Sequence, residues 1–100
     1  MLTLNDINTI ESDDEVSELE YYAAIQRAIN GGLWGLQGSY GRTMMDAISS
    51  GHCMLGTKSA RDYYGNYIPS RDEVKEGTKG SISYVEDAMG GDWLFEMENV

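Results

Sequence analysis

His52 and Cys53 stand side by side in a short apolar run, His52-Cys53-Met54-Leu55, and a thiol beside an imidazole invites comparison with a nucleophile and its base. The spacing argues against it. Neighbouring side chains point to opposite faces of a strand, or about 100° apart around a helix, so they rarely meet. The sequence has no second His or Cys to complete a zinc site, and no run with the oxygen-ligand spacing of a calcium-binding loop. Among seventeen acids, no two are marked out as an acid/base pair. A buried structural Cys53 near a hydrogen-bonded His52 is expected, with no catalytic residue, no metal and no cofactor.

Three other constellations can bind rather than react. Gly32, Gly35, Gly38 and Gly41 recur every third residue ahead of Arg42, and backbone N–H groups converging at a helix start can hold a phosphate. The run lacks the Gly-Lys-Ser/Thr ending of a P-loop, so a tight connection packed around Trp34 competes with a ligand site at Gly38, Gly41 and Arg42. The segment Arg61–Arg71 places Tyr63, Tyr64 and Tyr67 between two arginines. Such a loop suits a protein interface, a stacked nucleotide base, or simple padding of a core poor in Phe. Finally, Glu11, Asp14, Glu15 and Glu18 form an acidic stripe at the start of the first helix. Carboxylates four residues apart on a helix advance roughly 6 Å. That is comparable with the phosphate spacing of a nucleic-acid strand, so the stripe can enter a groove meant for DNA.

Charge placement supports a basic partner. The formal net charge is −10. Residues 1–20 hold seven acids and no base, residues 86–100 hold five acids and no base, and the middle is slightly basic. Acidic ends disfavour direct DNA binding and anionic membranes. A lone Cys, no signal-peptide pattern and no apolar stretch near the ~20 residues of a membrane span lead us to expect a cytoplasmic protein.

The elements that must carry these groups are mostly helical. One hundred residues make one domain. Residues 1–11 read as an N-terminal arm, either strand or irregular. Ser12-Asp13-Asp14-Glu15 reads as a capping box opening a helix whose inner face holds Val16, Leu19, Tyr22, Ala23, Ile25 and Ile29, stopped at Gly31-Gly32. Ser39 is expected to cap a second helix closed by Gly51. A helical turn is expected over Ser59–Tyr64, and a short helix from the Ser70–Glu73 capping box to Glu76. A last helix is expected from Thr78 or Ser81 to Met89, followed by an acidic tail over 92–100. The fold class expected is mainly α: short helices joined by glycine turns, with at most a minor strand or hairpin. A core this thin makes self-association into a homo-oligomer plausible.

With its small size, its Ser12–Glu15 acidic opening, the pairs Tyr21-Tyr22 and Tyr63-Tyr64, and no catalytic signature, the chain resembles small phage-encoded inhibitors of host defence, of the anti-CRISPR and anti-restriction kind. That resemblance implies a non-enzymatic inhibitor in the host cytoplasm, docking on a nucleic-acid-handling enzyme through a DNA-mimic-like surface. A nucleotide-sequestering protein and a self-assembling structural protein are the alternatives.

Overall fold

The computed structural model describes residues 17–35 and 38–100. Four helices and one small hairpin form them: α1 (Glu18–Asn30), a 3-10 turn (Leu33–Gly35), α2 (Gly38–Ser49), β1 (Ala60–Arg61), β2 (Tyr67–Ile68), α3 (Ile82–Met89) and α4 (Gly91–Glu98). The mainly helical class stands.

Helix α1 starts later than its sequence suggests. Ser17 has extended backbone, and its hydroxyl accepts the Glu20 N–H, so it is the N-cap. The Ser12 capping box lies outside the described residues. Ser17-Glu18-Leu19-Glu20 carries the same Ser-x-x-Glu spacing, which places Glu18 and Glu20 in the first turn against the positive end of the dipole. The buried face is Ala24, Ile25, Gln26, Ala28 and Ile29, while Leu19, Tyr22 and Ala23 are only partly covered. Gly31 and left-handed Gly32 end the helix as expected.

Helix α2 begins at Gly38, so Ser39 is a helical residue and not a cap. Gly51 closes it: φ is +83°, its N–H reaches Ile48 O, and the following His52 N–H reaches back to Ala47 O. A side chain there would lie 2.4 Å from Ala88 Cβ, so this turn is also where α3 makes its close approach. The chain then enters the core as Cys53-Met54-Leu55, all buried and without regular structure. Leu55 donates to Gly80 O, and Gly80 (φ +91°) leaves no room for a Cβ beside the Leu55 side chain.

Two expected helices are absent. Ala60–Arg61 instead pairs antiparallel with Tyr67–Ile68. The Asp62 carboxylate accepts N–H groups from Tyr64 and Asn66, offering the backbone a turn in place of a helix. At Ser70–Glu73, the Glu73 carboxylate does reach back to the Ser70 N–H, but only turns follow. The Arg71 N–H is held by Gly56 O, and a six-residue helix has little to offset its nucleation cost.

Ser81 caps α3, accepting the Tyr84 N–H, and Gly90 ends it after Met89. The expected acidic tail is helix α4, with Leu94 and Met97 buried on its inner face. Helix α1 packs on α2 and α4, and α3 packs on α4. The core between them is Ile25, Ile29, Ile48, Met54, Val85, Leu94 and Met97, with Trp34 buried at its edge. Each such side chain contributes about 1.5–3 kcal/mol on burial. Among the described residues, no helix is long and apolar enough to cross a membrane.

Candidate functional site

Where α1, the end of α2 and α4 meet, polar and aromatic groups converge on His52. The His52 ring stacks on Tyr22, with centroids 4.0 Å apart and planes 12° from parallel. Trp93 meets both rings edge-on and donates its indole N–H to His52 O at 2.7 Å. His52 Nε2 lies 3.1 Å from Glu18 Oε1, and Nδ1 lies 2.6 Å from Ser50 Oγ. The Ser50 hydroxyl has a single proton for His52 Nδ1 and Ala47 O, and which ring nitrogen donates depends on the tautomer.

A hydroxyl, an imidazole and a carboxylate in series have the order of a hydrolytic relay. The surroundings of Ser50 lack the other half of that chemistry. It follows the C-terminus of α2, where carbonyls converge, and the neighbouring N–H groups of Gly51, His52 and Cys53 all donate to Ile48 O or Ala47 O. Among the described residues, the N–H groups that follow Ser50 are all taken, which leaves no adjacent pair there for an oxyanion. Ser50 Oγ itself is also within reach of Ala47 O, at 3.0 Å. The arrangement fixes ring positions and ties α1 to the α2 terminus.

The Cys53 thiol donates to Tyr22 O at 3.4 Å. Burial pushes its thiol up to about 12, so it is protonated and unreactive at neutral pH.

The tyrosine loop is a hairpin tip. Tyr63, Tyr64 and Tyr67 are 61%, 70% and 52% exposed, so they do not pad the core. Tyr63 and Tyr64 meet edge-to-face with centroids 5.3 Å apart, inside the range of roughly 4.5–7 Å for such pairs. The turn beneath them is well braced. Burial alone raises the Asp62 carboxyl, and the hydrogen bonds from Asn66, Tyr64 and Gly65 outweigh that and leave it lowered. The Arg61 guanidinium donates to Gly65 O and sits 5.8 Å from the Tyr67 ring centre. Tyr67 donates its hydroxyl to Glu73. Arg71, half-buried, donates to Leu55 O and Asn30 Oδ1, which makes it a structural strut at the base of the hairpin.

Of the acidic stripe, Glu11, Asp14 and Glu15 lie outside the described residues, and Glu18 is engaged with His52. A second acidic surface, read in the sequence only as a tail, is built by α3 and α4. Glu86, Asp87, Asp92, Glu96 and Glu98 are all exposed, and neither helix carries a base. Asp92, Phe95 and Glu96 fall on one face at i, i+3 and i+4. The Phe95 ring in their midst is 64% exposed. Its sequence signal was Leu94 and Met97 at helical spacing, which sends Phe95 to the outside.

The glycine series is brought into no cradle. Gly35 and Gly41 face open space, and Gly38 and exposed Arg42 lie in the first turns of α2. Comparison of the chain with family models, with curated proteins and with solved structures finds no match.

Proposed function

We propose that this protein is a non-enzymatic, protein-binding inhibitor. It docks on the basic surface of a nucleic-acid-handling enzyme, in the manner of phage proteins that block host defence, and acts in the cytoplasm. The observation that carries this reading is Phe95, exposed on α4 with Asp92 and Glu96 on the same face and no base on α3 or α4. Carboxylates alone make a soluble face. A large aromatic ring exposed among them is the composition of an interface anchor with a polar rim. The hairpin tyrosines supply a second surface of the same kind. Carboxylates compete with phosphates for a basic groove, so inhibition follows from occupancy without any chemistry.

The test is affinity capture of the partner from host lysate, followed by competition. Increasing amounts of the protein are expected to displace nucleic acid from the captured enzyme, and the Phe95→Ala, Asp92→Lys, Glu96→Lys variant is expected to fail. A partner that keeps its nucleic acid at saturating protein would overturn the proposal.

A further inference from the structure

A cleft of about 270 Å³ opens between α1 and α2, lined by Tyr21, Tyr22, Ile25, Thr43, Asp46, Ala47 and Ser50. It shares no residue with the α3–α4 surface, so what it binds is independent of the docking proposal above. Its volume is slightly below the roughly 300–1,000 Å³ of sites for drug-sized ligands, which suits one head group on a slender stem better than a nucleotide.

The lining selects the charge of that head group. Ile25 and Ala47 are buried and form an apolar floor. Tyr21 and Tyr22 stand almost perpendicular, 82° between planes and 5.1 Å between centroids, making an aromatic corner. Tyr22 cannot swing away, because His52 is stacked on one of its faces. Asp46 is exposed beside them and makes no ion pair among the described residues, even with Arg42 one turn earlier on α2. Asp46, Ala47 and Ser50 also lie at the carbonyl end of α2, where the helix dipole adds negative potential. The Tyr22 hydroxyl is raised first by burial and then by its neighbours Tyr21, Glu18 and Cys53.

Aromatic faces, one carboxylate and a helix C-terminus all attract a cation and repel a phosphate. We infer that the α1–α2 cleft is a binding site for an alkylammonium head group, seated in the Tyr21–Tyr22 corner and paired with Asp46. The cation is carried either by a lysine side chain of a protein or by a free small amine.

The experiment is an amide-resolved NMR titration of the whole protein at neutral pH with three probes: n-butylammonium chloride, choline chloride and the uncharged 3,3-dimethyl-1-butanol. Both cations are expected to shift the Tyr21, Tyr22 and Ala47 amides saturably, with dissociation constants in the millimolar range and about tenfold tighter than the alcohol. Asp46→Asn, a change at an exposed position, is expected to weaken both cations by about two- to fivefold and leave the alcohol unaffected. Tyr21→Leu is expected to weaken choline more than butylammonium. A blocked Gly-Lys-Gly peptide binding more tightly than butylammonium assigns the cation to a protein side chain, and equal or weaker binding assigns it to a small amine; both support the site. Saturable binding of the alcohol as tight as that of choline would reduce the cleft to an apolar groove and overturn the inference. So would the absence of saturable shifts with either cation.

Discussion

The side chain of Gln26 pairs with the backbone of Met54 as one strand pairs with another. Gln26 Nε2 donates to Met54 O at 2.9 Å, and the Met54 N–H donates to Gln26 Oε1 at 2.9 Å. Both residues are fully buried. A connection without regular structure can cross the core only if its polar groups find partners there, and α1 supplies them through this one amide. Gln26 also donates to Asn30 Oδ1, which accepts from Arg71 as well, so the clasp extends to the base of the hairpin.

Gln26→Leu is therefore expected to be worse than its added hydrophobicity suggests. The Met54 N–H and C=O would be left unpaired in the interior, at a cost of about 3 kcal/mol together. For a domain of this size that lowers Tm by roughly 12–24 °C. Thermal unfolding followed by circular dichroism measures it, and a drop of under about 4 °C would show that the pairing matters little.

Gln26 also marks the limit of what could be read beforehand. The apolar spacing of α1, the glycine ends of α1 and α2, and the Ser81–Met89 helix were legible because their causes are local. Gln26 is missing from the inner face expected for α1, because its partner lies 28 residues further on. The hairpin was hidden by Asp62, whose hydrogen bonds to Tyr64 and Asn66 override a helical reading of Ser59–Tyr64. Helix α4 was hidden by its acids, although Leu94 and Met97 carry the i, i+3 spacing of a buried face. The α1–α2 cleft joins Tyr21 and Tyr22 to Asp46, a juxtaposition that only the packing of the two helices creates.

Two glycines on or near α2 should respond oppositely to alanine. At Gly51 the left-handed backbone and the 2.4 Å approach to Ala88 Cβ both oppose a side chain, so Gly51→Ala is expected to cost about 3 kcal/mol. Gly41 lies inside α2 facing open space, and Gly41→Ala is expected to stabilise by about 0.5–1 kcal/mol. Urea midpoints of the two variants against the parent protein decide the matter. A Gly51→Ala variant as stable as the parent would contradict the close approach of Gly51 to α3.

Acidification should loosen the hairpin base before the helices. The Ser70 N–H, and then the Tyr67 hydroxyl, hold the Glu73 carboxyl below its ordinary value. A lowered carboxyl contributes stability that is fully present above the ordinary value of about 4.3 and is lost as pH falls through the lowered one. The Ser70 amide is expected to exchange faster, relative to its intrinsic rate, as pH drops below about 4, and Glu73→Gln should remove that dependence. Helix α1 amides around Gln26 should keep their protection over the same range. Protection at Ser70 that is unchanged down to the pH of global unfolding would refute the coupling.

The two proposed docking surfaces should separate kinetically once the partner is in hand. Asp92→Lys with Glu96→Lys raises the net charge from −10 to −6, so the protein stays acidic, and both positions are exposed, so α4 keeps Leu94 and Met97 inside. Lys is nearly as good a helix former as Glu, so Glu96→Lys leaves α4 close to the parent, while Asp92→Lys in its first turn costs about 0.3–1 kcal/mol against the helix dipole. Exposed charges act over about 8 Å at physiological ionic strength, so this variant should associate more slowly and lose most of the salt dependence of the parent's association rate. Tyr63→Ala with Tyr64→Ala removes aromatic area and no charge. Neither ring is needed by the turn, since Asp62 holds it through the Tyr64 and Asn66 N–H groups. That variant should associate at the parent's rate and dissociate faster, by about tenfold if each ring contributes ~0.7 kcal/mol of packed contact. Surface plasmon resonance at two salt concentrations reads all four rates. If reversing the α4 charges changed only dissociation, with salt-independent association, the acidic face would be a contact patch that does not steer. If the tyrosine pair changed neither rate, the hairpin would lie outside the interface, and Phe95 with its carboxylates would be left as the whole of it.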